Sequence, residues 1–288
     1  TPIEIIFGSI FGYVGFLHDE HLFNIVAEFG FLYLMFIAGT EINLQNVIKT
    51  PVRIMKKVLL YLVILYAFSI VFSFYFNLGK IFIVLLPLIS VGLVASLSKE
   101  YGKTPWLTLS MTAGGLGEVV SIAILTITSA ALGSGFGLKL FQSVMALVAF
   151  LLFMFVVFRA LRLLFWWFPK VSTALMPHED NKEQDIRLSM GIFFLLLGAM
   201  LYLNLELAFG AFLAGMFIPT FFEHKHELPE KLASLGFGFL IPIFFIHIGT
   251  SFHLQALATQ GLITKAIIIA FVMIAMRVVA SLVFIKEL

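Results

Sequence analysis

"IFIVLLPLISVGLVASLSKEYG", residues 81–102, is apolar enough to enter a bilayer and then interrupts itself. Pro87, Ser90 and Gly92 fall near its middle. Proline removes a backbone donor, and glycine lowers the cost of leaving a helix. Unwound backbone at membrane depth persists only where protein buries it or where it lines a wet cavity. An interrupted helix in a chain of many spans points to a transport site. The stretch therefore favours a bundle with a polar centre over a plain helical bundle. "FGFLIPIFFIHIGTSF", residues 237–252, carries Pro242 and His247 in a similar way.

The rest of the chain supports a membrane setting. Of its 288 residues 61% are hydrophobic and 12% charged, and the mean hydropathy is +1.08. A soluble domain of this length carries about twice that share of charge. A net charge of +2 without a basic tract gives no basis for nucleic-acid binding. With no cysteine, disulfides, thiolate metal sites and cysteine nucleophiles are excluded. Neither a Walker loop nor a GxSxG elbow occurs, so ATP-driven transport and hydrolysis are not expected, and the protein does not read as an enzyme. There is no signal peptide with a small-residue cleavage site. Thr1 at the start and Lys286-Glu287-Leu288 at the end read as cuts in a longer chain.

A transmembrane helix needs roughly 20 apolar residues. Ten segments qualify, at about 1–17, 22–40, 55–77, 81–97, 106–132, 139–166, 187–203, 206–222, 236–252 and 262–285. The longest polar gap, "PKVSTALMPHEDNKEQDIR", reads as a charged loop or surface helix. With a cytoplasmic N-terminus, this layout puts 14 Lys and Arg on the inside and three, Lys80, Lys139 and Lys265, outside. Such a bias follows the positive-inside rule, and one missed helix would scramble it.

Within "MTAGGLGEVVSI", residues 111–122, Glu118 lies about 12 residues into its segment. Gly114 and Gly115 precede it by one turn and Ser121 follows by one. Charge at that depth costs a few kcal/mol or more, and such groups face a bundle interior or a water path. Burial favours the protonated carboxyl and a nearby cation the ionised one, so the group can trade a proton for a cation. A structural glutamate, neutral or paired, is the plainer alternative. Arg277 is the single basic residue placed deep in a segment. It stays protonated, so it needs an acid or carbonyls, such as those of an unwound helix; a snorkelling arginine is the plainer alternative. Ser90 offers a hydroxyl oxygen, and hard cations prefer oxygen, yet serines also pack membrane helices together. Glu28, Glu41 and Glu206 are weaker candidates, Glu206 because an acid suits a helix N-terminus. His247 can titrate near neutrality but reads best as a satisfied interior histidine. The run "EHKHE", residues 223–227, has its histidines at i, i+2, off a common helix face, and reads as a solvated loop.

Taken together, these residues resemble the bacterial monovalent cation:proton antiporters, the branch with Kef-type potassium efflux systems and Nap-type sodium/proton antiporters. Four stretches carry the likeness in family order. "EFGFLYLMFIAGTEINL" resembles an early family helix, "ISVGLVASLSKEYG" the crossing-helix stretch, and "TAGGLGEVVSIAIL" the helix of the acid pair. "AFGAFLAGMFIP" with "PIFFIHIGTSF" completes the set. The resemblance covers nearly the whole chain. It implies an all-α polytopic membrane protein of about ten transmembrane helices in this chain. The implied fold is two inverted repeats with a broken crossing helix, the C-terminal part of the second repeat missing. A core, mainly 55–166 and 262–288, would hold the ion site. A scaffold, mainly 1–54 and 187–252, would carry a homodimer contact, with residues 167–187 a cytoplasmic loop. The whole of 1–288 would form one antiporter domain in a bacterial cytoplasmic membrane, embedded in lipid.

In that alignment Glu118 takes the position of the essential carboxylate and is the tentative ligand of the monovalent cation. Ser90 falls in the unwound segment, and Arg277 falls where many members place a membrane Lys or Arg as a compensating charge. Gly117, Ser121 and His247 are possible support. Gly117 stands where the family has a first acid or amide, a departure that leaves a single carboxylate and implies electroneutral exchange. No cofactor is implied beyond the transported H+ and Na+ or K+. The expected function is proton-coupled cation exchange by alternating access. Two alternatives stay open: a sensor or structural subunit that kept the fold, and a gated K+ efflux pathway of Kef type. A regulatory domain could follow Leu288, and the 288-residue piece alone is not expected to transport.

Overall fold

A computed structural model describes residues 2–15, 21–43, 50–79, 81–88, 94, 101, 104–134, 138–168, 170–171, 175, 177, 183–222, 225, 227–252 and 261–285. All regular structure among the described residues is helical. In order these are α1 (Pro2–Val14), α2 (His21–Thr40), α3 (Val52–Tyr75), α4 (Phe82–Leu85), α5 (Pro105–Ser134) and α6 (Leu138–Trp167). Then come α7 (Gln184–Leu203), α8 (Leu207–Phe221), α9 (Leu228–Leu235), α10 (Ile241–Thr250) and α11 (Leu262–Ser281). Seven described helical stretches are long and apolar enough to cross a membrane, and α1 and α8 are shorter apolar helices. The chain is a polytopic helical membrane protein. Ser90 and Gly92 lie outside the described residues.

Helix ends follow local chemistry. α3 and α7 each stop at an asparagine, Asn77 and Asn204, whose φ is 51° in both cases. Asparagine tolerates the left-handed conformation that closes a helix, and the next amide turns back to a carbonyl of the last turn. Leu78 N donates to Ser73 O at 2.9 Å, and Leu205 N to Met200 O at 3.0 Å.

The expected break in 236–252 is corrected. The helix starts earlier, at Leu228, and runs on to Thr250. Gly236–Leu240 forms a π-helical turn that joins α9 to α10. Pro242 lacks the N–H that would bond the carbonyl four residues back, and one wider turn before it absorbs that mismatch without unwinding the chain.

The described chain forms two compact units. The first comprises Thr1–Ile5, Asp19–Leu44 and Thr126–His247. At its centre α8 is apolar all round and nearly all buried, as an interior helix must be. It meets α2 at two glycines. A Cβ on Gly39 would collide with the Phe212 carbonyl, and one on Gly215 with that of Phe36. Small residues allow this approach, and in lipid such close packing replaces hydrophobic drive between helices. Beside the crossing, Tyr33, Phe36 and Phe193 form a ring cluster, with Phe36 and Phe193 centroids 5.0 Å apart. The Tyr33 hydroxyl donates to Leu232 O at 3.0 Å, tying α2 to α9. Asn43 Nδ2 donates to Pro219 O at 3.0 Å, covering one of the carbonyls that the end of α8 leaves over.

The second unit comprises Ile6–His18, Gln45–Leu125 and Ile248–Leu288. Here α3 packs against α5 and α11. Val58, Leu62, Ala113 and Phe284 form one buried cluster. Leu65, Leu86, Met276 and Ala280 form another, which brings the end of α4 between α3 and α11.

Candidate functional site

The second unit holds most of the chemistry anticipated from the sequence. Glu118 lies on α5 and is 8% exposed. Gly114, Gly115 and Gly117 on the same helix are buried. Ser121, one turn further, is fully buried and accepts a hydrogen bond from the Tyr66 hydroxyl of α3 at 3.0 Å.

The interruption after α4 has a definite geometry. Leu86 N still bonds Phe82 O at 3.0 Å, the last helical step before proline. The next donor would be the Pro87 amide, which has no hydrogen, so Ile83 O loses its intrahelical partner. Ser69 of α3 fills the gap: its hydroxyl donates to Ile83 O at 2.7 Å and approaches Phe82 O at 3.3 Å. One residue past Pro87, Leu88 O accepts from Arg277 Nη2 of α11 at 2.6 Å. A charged donor makes the stronger kind of hydrogen bond. Side chains from α3 and α11 thus hold the broken segment on either side of Pro87.

A cavity of about 220 Å³ opens in the same unit, lined by Tyr61, Ser110, Gly114 and Ser281 among others. At roughly 30 Å³ per water it has room for several. Gly114 lies one turn before Glu118 on α5, and Ser281 one turn after Arg277 on α11.

Other candidates fall differently. His247 belongs to the first unit and packs edge-on against Phe23, ring centroids 5.6 Å apart. Glu28 is exposed, and Glu206 stands at the N-cap position of α8 without a side-chain capping hydrogen bond. The reading of 223–227 as a solvated loop is corrected at Lys225. Its side chain is 10% exposed and lies 3.8 Å from Asp185 Oδ2, with Lys231 at 3.7 Å from the same oxygen. Asp185 is buried in the first turn of α7, where a negative charge suits the helix N-terminus. His224 and His226 lie outside the described residues.

Tyr66 and Ser69 escaped the reading of the sequence. With Ser73 they recur at i, i+3 and i+7 along the second half of α3, a polar stripe among mainly apolar residues, and both Ser69 and Ser73 are buried. That periodicity was the available signal.

A helical membrane protein with a buried carboxylate, and with an interrupted helix pinned by arginine in the same compact unit, has the build of a secondary transporter. The sodium/hydrogen exchanger transmembrane family matches residues 1–288, and the chain belongs to that family. It is 23% identical to "Putative Na(+)/H(+) antiporter YjbQ" of Bacillus subtilis (strain 168), over 88% of this chain and 43% of that protein. It is also 23% identical to "Probable Na(+)/H(+) antiporter GerT" of Bacillus cereus, over 89% of this chain and 68% of the relative. The chain therefore spans less than half the length of the first relative.

Proposed function

We propose that the chain forms the ion-translocating membrane part of a cation:proton antiporter in a bacterial cytoplasmic membrane. The observation that carries this reading is Glu118, a carboxylate buried at mid-helix in a membrane-spanning segment, where an ionisable group is costly without a role. Membership of the sodium/hydrogen exchanger family supports the same class of activity, and the names of the two relatives favour Na+ over K+. In this reading Glu118 takes a proton from one side and a monovalent cation from the other, never both at once. Ser90 and carbonyls of the interrupted segment complete the cation shell, because hard cations prefer oxygen. Arg277 balances charge within the same unit. The core, mainly 55–166 and 262–288, is the moving body of an alternating-access cycle, and the scaffold, mainly 1–54 and 187–252, is the part through which two copies pair.

The test is Glu118→Gln in the full-length protein, assayed for cation-driven dequenching of a ΔpH dye in everted vesicles with Na+, K+ and Li+. Exchange falls to background for every cation while the protein still inserts and accumulates. Normal exchange in that variant refutes the reading. A second reading, a sensor that kept the fold, draws on Gly117, which offers no side chain beside Glu118. It predicts that the unmodified full-length protein exchanges no cation.

A further inference from the structure

We infer that Ser69 is a positioning residue for the cation site: it takes the place of the hydrogen-bond donor that Pro87 lacks and so fixes the shape of the interrupted helix. The inference rests on the antiporter reading above, in which carbonyls of that segment face the ion.

Pro87 leaves Ile83 O without its helical donor, inside a membrane-spanning unit where water is not a general substitute. An orphan carbonyl there has two ways out. The helix can shift until another amide reaches it, which moves every following carbonyl, or a donor can come from elsewhere. Ser69 is that donor. Its side chain is fully buried, its hydroxyl lies 2.7 Å from Ile83 O, and it stands on a different helix. A serine satisfying its own helix would turn back to a carbonyl one turn earlier, as Thr112 does toward Thr108 O at 2.9 Å. Ser69 instead spends its one proton across the helix–helix contact.

The position of the bond gives it leverage. Ile83 O is the carbonyl that the Pro87 amide would have bonded, and Leu88 O is held from the other side by Arg277 at 2.6 Å. Between these two ties the chain makes a single tight turn, with Leu88 N on Leu85 O at 3.3 Å. Ser69 touches no ion in this account. It sets where the ligand-bearing backbone starts.

The experiment compares Ser69→Ala, Ser69→Cys and Ser69→Thr in the full-length protein. It reads the apparent KM for Na+, the maximal exchange rate and the melting temperature in detergent. Losing one buried hydrogen bond at a site that must be preorganised raises the KM of Ser69→Ala about tenfold. The maximal rate and melting temperature change little, and Ser69→Thr, which keeps the hydroxyl, restores the KM. Ser69→Cys fills nearly the same volume with a weak donor and gives an intermediate KM; it carries the comparison if the alanine variant fails to accumulate. The inference is overturned if KM is unchanged in both variants, or if exchange falls only in proportion to folded protein. Glu118→Gln, run alongside, separates the two failures. An unchanged KM at Ser69 with dead Glu118→Gln removes the positioning role alone, whereas active Glu118→Gln removes the antiporter reading itself.

Discussion

Arg277 concentrates the residue-scale argument. Its guanidinium cannot discharge its charge by losing a proton, so at membrane depth it must find oxygen. It finds the Leu88 carbonyl, one residue past Pro87. A hydrogen bond from a charged donor contributes about 1.5–3 kcal/mol, and Arg277→Met removes it while keeping most of the apolar stem. That variant melts several degrees lower in detergent, and Arg277→Lys, which keeps a charge but presents it as a compact point, recovers part of the loss. Equal melting temperatures for all three proteins would mean that the Leu88 contact holds nothing. That Arg277 needs a partner follows from its chemistry alone. Which of many carbonyls it takes depends on how α11 lies against α4, and residue type carries no trace of that.

At the scale of elements, two glycine-dependent features behave in opposite ways. The α2–α8 crossing has no room for a Cβ at Gly39 or Gly215. Gly198, on the exposed face of α7, has nothing within 4 Å of where a Cβ would stand. Gly215→Val therefore forces apart two helices at the centre of the first unit; overpacking costs typically about 1–3 kcal/mol and more where backbone must move. Gly198→Ala gains up to about 1 kcal/mol of helix propensity. The expected pair of outcomes is loss of monodisperse protein on gel filtration for Gly215→Val and an unchanged or raised melting temperature for Gly198→Ala. The converse would sink this account of the crossing. The elements themselves were largely legible: runs of about 20 apolar residues leave few options in lipid, and Pro87 marks a helix end in both sequence and structure. Pro242 was read as the same kind of break and is not one. A proline forbids one hydrogen bond; whether the chain unwinds or widens by one π turn depends on what packs around it.

For the whole molecule, charge number matters more than packing. Glu118 is the one acidic residue of α5, and Gly117 adds no second. If a single carboxylate carries either one proton or one monovalent cation, a full cycle moves no net charge. Exchange in liposomes then proceeds at the same rate when a potassium–valinomycin potential of either sign is imposed. A rate that tracks voltage would require a second titrating group in the cycle.

Hydropathy and the spacing of Lys and Arg, properties of the chain alone, determined that this protein is helical, spans a membrane many times and places a carboxylate at depth. Lipid excludes unpaired backbone and isolated charge whatever the topology, so these conclusions needed no tertiary information. The tertiary structure decided the rest: that Ser69 stands in for the donor missing at Pro87, that Tyr66 bonds Ser121, that Arg277 closes on Leu88, and that Lys225 reaches a buried aspartate. Each of these joins residues from separate segments of the chain. Such pairings depend on helix rotation and register, which a stripe of apolar side chains constrains only loosely when lipid accepts apolar surface on every side.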